Sequence, residues 1–289
     1  MKLKEDIILI AGPTASGKTS ASIKLAQAND AVIINTDSMQ VYEDLQIVSA
    51  RPSAEEAAQA SHYLFGHRSG RKAYSVAHWL DDVRPLFEQF SSQSRKMIFV
   101  GGTGLYFNAL LDGMSPMPDI DAEIRNKIRS MDDVPSQQLH QMLDEKAAEE
   151  LRPSDRQRIT RALEVYQSTG KSIIDWQAEK GVPLVPKGES VKKFLVMPPR
   201  ATIHERINMR FDMMVEEGAL AEIEALMKKN FPLSAPVMKA IGVPQLAAHL
   251  AGEMELGEAI EKAKAATRQY AKRQSTWFNN SFGEGWELF

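Results

Sequence analysis

The run Gly12-Pro13-Thr14-Ala15-Ser16-Gly17-Lys18-Thr19 constrains the fold of this 289-residue chain more than any other stretch. It follows a short apolar segment, residues 6–11, and precedes a helix predicted over residues 18–27. In that strand-loop-helix setting the backbone N–H groups and the helix N-terminus face phosphate oxygens. Lys18 neutralises their charge, and the Thr19 hydroxyl can ligate magnesium. Which phosphate compound the loop holds stays open, because nucleoside triphosphates and simple diphosphates present similar oxygens.

Two more buried strands are expected at residues 31–35 and 96–100, the latter running into Gly101-Gly102-Thr103 and a helix-like segment. This alternation indicates a doubly wound parallel sheet. Pro116 and Pro118 break the pattern. Helical segments then follow over residues 123–131, 137–150 and 154–169, closing in the Gly- and Pro-bearing stretch 181–188. A sheet pattern resumes at 194–197. A long amphipathic pattern follows over 203–229, then a last helix over 257–279. The expected architecture is an α/β, P-loop NTPase-like parallel-sheet core made of residues 1–113 and 190–289, with a helical insertion domain at 114–189.

Composition narrows the function classes. A formal net charge of -3 argues against a chain that coats nucleic acid indiscriminately. The absence of cysteine excludes disulfides, thiolate metal sites and a cysteine nucleophile. No secretory h-region and no run of membrane-spanning length are present, so a cytoplasmic protein without a membrane partner is expected. The six histidines are scattered. His204 and His249 read as surface or packing residues, and a zinc site is not expected.

Asp37 lies just beyond the second predicted strand, where open α/β sheets gather their ligands. As a turn residue, a magnesium ligand or a general base it is equally well placed. Gly101-Gly102-Thr103 reaches the same edge with a hydroxyl. Arg206 and Arg210, four residues apart, would share one side of a helix; if it faces the cleft, a guanidinium could stabilise a departing diphosphate. Arg156, Arg158 and Arg161 cluster in the insertion, and Lys264, Arg268 and Lys272 form an i, i+4 row on the last helix. Solvated faces explain both groups, and a clamp on a phosphate backbone would use both.

Taken in order, the phosphate loop, residues 37–42, Tyr74-Ser75-Val76-Ala77, residues 100–107 and 155–165, and Thr267-Arg268-Gln269-Tyr270-Ala271-Lys272-Arg273-Gln274 resemble the bacterial tRNA dimethylallyltransferase family over nearly the whole chain. The resemblance implies dimethylallyl diphosphate as prenyl donor, adenosine 37 in the anticodon stem-loop of tRNAs reading codons that begin with U as acceptor, and Mg2+ as cofactor. It further implies a channel entered by donor and flipped base from opposite ends. By position, Asp37 would be the general base, Lys18 and Thr19 would hold the diphosphate with the loop amides of residues 12–17, Arg210 would assist the leaving group, and Thr103 would line the site. Segments similar to tRNA-contacting ones include Asp37, Ser38, Met39 and Gln40, with Thr103 and Arg125. They also include Gln157, Arg158, Ile159, Thr160 and Arg161, and Lys239, Ala240, Ile241, Gly242, Val243 and Pro244.

Residues 45–52, Leu-Gln-Ile-Val-Ser-Ala-Arg-Pro, depart from the family's common Asp-Ile-Gly-Thr-Ala-Lys-Pro, and Pro244 stands where many members carry a basic residue. A monomer is the expected working form. Rival readings are an adenylate prenyltransferase, a small-molecule P-loop kinase and a nucleotide-gated RNA-binding module.

Overall fold

The computed structural model describes residues 1–186, 188 and 190–289. Two compact units emerge: Met1–Leu110 with Val185–Phe289, and Leu111–Leu184. The sequence places these boundaries at 113/114 and 189/190; residue 189, the expected end of the insertion, lies outside the described residues.

The chain begins with β1 (Ile7–Ala11), α1 (Lys18–Asn29) and β2 (Val32–Asn35), followed by α2 (Ala54–Ala57), β3 (His62–Tyr63), α3 (Val76–Ser92), β4 (Met97–Gly101) and α4 (Gly104–Asp112). Then come α5 (Ala122–Arg129), α6 (Ser136–His140), α7 (Glu145–Glu150), α8 (Arg156–Thr169) and α9 (Ile173–Ala178). The chain closes through β5 (Val191–Leu195), α10 (Arg200–Glu216), α11 (Ala219–Lys228), a 3-10 turn at Pro236–Lys239, α12 (Val243–Leu250), α13 (Leu256–Ser281) and β6 (Trp286–Leu288).

The six strands form one parallel sheet in the order β3-β2-β4-β1-β5-β6. β1, β2 and β4 are buried along their whole length. That burial explains why they read as unbroken apolar runs rather than alternating ones. Ile8, Ile10, Ile33, Ile98 and Val100 pack on one face with Ile23, Leu25 and Ala26 of α1. Because the strands are parallel, the loops after β1, β2 and β4 all leave the same edge of the sheet.

Several expectations need correction. The helix expected over 137–150 is two, α6 and α7, because the Asp144 carboxylate accepts from the Ala147 N–H and starts a new helix. The pattern over 203–229 is likewise two helices, broken at Gly218, whose φ of 106° suits glycine. β5 begins and ends earlier than the expected 194–197. Neither β3 nor β6 was expected, being two and three residues long, below the length at which periodicity is readable. α3 is a helix outside the expected elements, and Ser75 and His78 form a complete capping box at its start.

In the unit Leu111–Leu184, α8 is the packing centre. Ala162 and Val165 meet Ile120, Ala147 and Ile173 on one side, while Ile159 and Leu163 meet Ile128 and Leu139 on another. Glu164, 1% exposed, is neutralised by Arg129 at 2.7 Å and Arg161 at 3.4 Å. A buried carboxylate without such partners would be strongly destabilising.

Candidate active site

The phosphate loop is a tight turn between β1 and α1. Ser16 N–H donates to the Pro13 carbonyl at 3.2 Å, and Ala15 and Gly17 take φ values of 61° and 97°. Gly12 permits close packing, since a Cβ there would lie 2.5 Å from the Val196 carbonyl oxygen. The Ser16 Oγ is buried with no hydrogen-bond partner, which leaves a polar atom inside the loop free for a ligand. Lys18 curls back so that Nζ donates to the Pro13 carbonyl at 3.2 Å. Burial lowers its pKa to about 8; the Asp37 carboxylate opposes that shift and Arg210 adds to it.

After β2 the chain is pinned around Asp37, whose charge acts on this lysine. The Asn35 side chain accepts from the Asp37 N–H at 2.8 Å and donates to the Asp37 and Leu64 carbonyls at 3.0 Å each. The Asp37 carboxylate in turn accepts from the Met39 N–H at 3.0 Å. Beneath it, Trp79 of α3 donates its indole N–H to the Asn35 carbonyl at 2.8 Å and stacks on Tyr106.

The turn after β4 packs against the Asp37 segment. Thr103 N–H donates to the Thr36 carbonyl at 3.2 Å, and its Oγ1 accepts from the Ser38 N–H at 3.0 Å. Lys18, Asp37 and Thr103 therefore meet at one sheet edge. Arg206 also reaches it, its guanidinium donating to the Ser16 carbonyl at 3.0 Å. Arg210 is half-buried, close enough to lower the Lys18 pKa, and burial lowers its own.

Four residues beyond the expected set belong here. Gln274 of α13 accepts from the Thr14 N–H and donates to the Gly102 carbonyl, both at 2.9 Å. The hydroxyl of Tyr106 is buried without a partner, and burial followed by the Asp37 charge raises its pKa; the same two causes act on Tyr270. His62 shares a cavity with Lys18, Thr19 and Gln40; its Nδ1–H donates to the Ala60 carbonyl at 2.8 Å, while Nε2 is buried and unpartnered. Gln274 and Tyr270 were visible in the last family-like block, four apart on one helix side, but nothing in one sequence assigned them a direction.

Other expected site residues separate on inspection. Ile159, Ala240 and Val243 are buried core side chains, so their expected tRNA contact is corrected: no side-chain surface is available. Gln40 spends its amide N–H groups on the Ser49 and Ala50 carbonyls at 3.1 and 2.8 Å. Arg158, Lys239 and Pro244 are exposed, while Arg125, Thr160, Arg161 and Ile241 are partly so. Arg156 donates to the Val134 and Met131 carbonyls. Lys264 is 8% exposed and paired with Asp212 at 2.7 Å and Glu261 at 3.1 Å. The two basic rows are therefore thinner than their sequence spacing indicates.

The loop that departs from the family pattern is held from within. The Glu222 carboxylate of α11 accepts from the N–H groups of Gln46, Ile47 and Val48 at 2.6–2.9 Å. Arg51 donates to the Gln46 side chain at 2.7 Å and to the Tyr42 carbonyl at 3.3 Å. Tyr74, from the Tyr-Ser-Val-Ala block, donates to Asp82 at 2.6 Å, and Asp82 also binds Arg68 and His67. Among the described residues no group of three or more His, Asp or Glu side chains could hold a metal by itself, and no helix is long and apolar enough to cross a membrane.

The model of the IPP transferase family matches residues 40–281. The tRNA dimethylallyltransferases of Chelativorans sp. (strain BNC1) and Rhizobium johnstonii are 49% and 48% identical to this chain, covering 96% and 97% of it and 97% and 95% of their own lengths. Among solved structures, the full-length tRNA isopentenylpyrophosphate transferase of Bacillus halodurans aligns with a TM-score of 0.71 at 33% identity, over 99% of this chain and 90% of that one. A eukaryotic dimethylallyltransferase acting on tRNA aligns with a TM-score of 0.80 at 28% identity, over 95% and 70%. These likenesses extend through the phosphate loop and Asp37, which precede the segment matched by the family model, and together they show that the chain belongs to the tRNA dimethylallyltransferase (IPP transferase) family.

Proposed function

We propose that this enzyme transfers the dimethylallyl group of dimethylallyl diphosphate to N6 of adenosine 37 in tRNAs reading codons that begin with U, as a cytoplasmic monomer. The observation that carries this reading is a carboxylate, Asp37, at the sheet edge that also carries the phosphate loop, where the turn after β4 is tied to the Thr36 carbonyl and the Ser38 N–H on either side of it. That arrangement sets a proton acceptor beside a diphosphate cradle. The adenine amine is a poor nucleophile because its lone pair is delocalised into the ring. Attack needs close orientation, base assistance and a stabilised leaving group.

In this reading N6 attacks the allylic carbon, the carbon–oxygen bond to diphosphate breaks, and Asp37 accepts the N6 proton. Lys18 and the loop amides neutralise the diphosphate; Arg210 takes up charge as it departs, and Thr103 lines the site. Magnesium suits the loop: the Ser16 hydroxyl is buried without a hydrogen-bond partner, and Thr19 offers one oxygen. Its remaining oxygens would come from diphosphate and water, since no acidic cluster stands among the described residues. When bound, the ion would offset charge on the leaving diphosphate. The target base must leave its stack, at about a few kcal/mol. Ser38, Met39, Arg125, Gln157, Arg158, Thr160, Arg161 and Lys239 are the residues proposed to hold the tRNA.

The test is incubation with dimethylallyl diphosphate and a tRNA set, read by nucleoside mass spectrometry. Prenylated adenosine at position 37 is expected, and Asp37→Asn should abolish it while tRNA still binds. Prenylation of free AMP but not of an anticodon stem-loop would overturn the reading in favour of a nucleotide prenyltransferase. Phosphate transfer from ATP without prenylation would favour a kinase.

A further inference from the structure

We infer that Gln274 is a positioning residue for prenyl transfer, fixing the gap between the donor's phosphate loop and the wall that carries the general base; the inference rests on the function proposed above. One carboxamide joins two loops distant in sequence. Its oxygen accepts from Thr14 N–H in the phosphate loop, and its nitrogen donates to the Gly102 carbonyl in the turn after β4, each at 2.9 Å. The side chain is 94% removed from solvent, with a relative exposure of 6%. The bond to Gly102 is buried, and the bond to Thr14 partly so.

The second loop is not an arbitrary anchor. A Cβ on Gly102 would sit 3.3 Å from the Asp37 carboxylate oxygen, so this peptide lies against the base itself. The next residue, Thr103, is tied to the Thr36 carbonyl and the Ser38 N–H, which bracket Asp37. The carboxamide thus links Thr14 to Gly102, and the Thr103 bonds link that turn to the Asp37 segment. Gln274 itself touches neither donor phosphate in this scheme nor the carboxylate by a hydrogen bond. The amide of Thr14 is occupied by Gln274, which leaves donor binding to later loop amides and Lys18.

Loss of Gln274 should therefore leave donor affinity nearly intact and lower the rate of transfer. A misplacement of about 1 Å between reacting groups costs on the order of a hundredfold in rate. The expected result for Gln274→Met, which keeps the volume and removes both hydrogen bonds, is a fall in kcat of roughly thirty- to a hundredfold with donor KM within about threefold. Gln274→Glu keeps the acceptor for Thr14 N–H but sets a carboxylate oxygen against the Gly102 carbonyl and close to Asp37, and should lower kcat at least as far as Met.

Both variants and the wild type would be assayed for prenyl transfer to an anticodon stem-loop, with melting temperature and circular dichroism measured in parallel. Unchanged kcat in Gln274→Met would overturn the inference. So would a loss of activity matched by a loss of folded protein in both variants, or a rise in donor KM that accounts for the whole effect. Failure of the wild type to prenylate RNA would instead strike the proposed function, so the two failures are separable.

Discussion

Gly102→Ala tests the joint between α13 and the two phosphate-edge loops without replacing Gln274. The added methyl would lie 2.3 Å from Gln274 Nε2, so the carboxamide must retreat by about 1 Å to reach ordinary contact. That retreat stretches the two 2.9 Å bonds beyond useful length. With a buried unsatisfied group costing about 1–3 kcal/mol, the two broken bonds together should destabilise the protein by about 2–6 kcal/mol. Because the backbone φ at Gly102 is not in the left-handed region, this cost is steric, and it falls mainly on Gln274, with a lesser contact of 3.3 Å to the Asp37 carboxylate. A double-mutant cycle with Gln274→Ala, read by the urea unfolding midpoint, should therefore be strongly non-additive: once the carboxamide is gone, the methyl finds room. Additive effects, or a Gly102→Ala protein as stable as wild type, would refute the packing argument.

Four further outcomes follow from charge. Lys18 is driven down to about 8 by burial, so in the free enzyme kcat/KM for the donor should fall as pH rises through about 8, and a profile flat to pH 10 would refute the assignment. The folded state sheds that proton more readily than the unfolded chain, so the lysine's contribution to stability rises with pH between about 8 and 10.5, and Lys18→Met should remove it. Asp82 is pushed up by burial, but hydrogen bonds from Arg68, Tyr74 and His67 overcome this and hold it at about 2. Its stabilising contribution is present above the usual carboxylate range and lost as pH falls towards 2, and Asp82→Asn should erase that acid limb in an unfolding titration. Arg158→Ala should lower the salt slope of tRNA binding by about one, whereas Lys264→Met, at a residue already paired with Asp212 and Glu261, should leave it unchanged. Equal slopes for both variants would place neither residue on the RNA.

Much of the core was legible because its signals are local. A phosphate loop must follow a strand and open a helix, and strands buried on both faces read as apolar runs, so β1, α1, β2 and β4 were within a residue or two of their expected places. What escaped was long-range. Gln274 lies 260 residues from Thr14, and no periodicity reports that an amide on one helix will meet a loop so far away. The basic rows misled for a related reason: helical spacing shows that Lys264 and Arg268 share a side, but not that Lys264 is buried against Asp212 while Arg268 donates to Asn208 at 2.6 Å. Ile159 likewise sits between candidate contacts in sequence and points into the core in space.

The position of β1 also governs when this protein can fold. Its Ile7 pairs with Met97 on one side and with Val191 on the other, so the central strand has a neighbour early and lacks the second until nearly two hundred residues have been made. At a synthesis rate of about 5–20 residues per second, the nascent sheet carries an open, apolar edge for roughly five to twenty seconds after β4 is complete. Residues 111–184, made during that interval, contain their own core around α8. Aggregation during expression should accordingly concentrate in truncations that end between β4 and β5, where the edge stays uncovered.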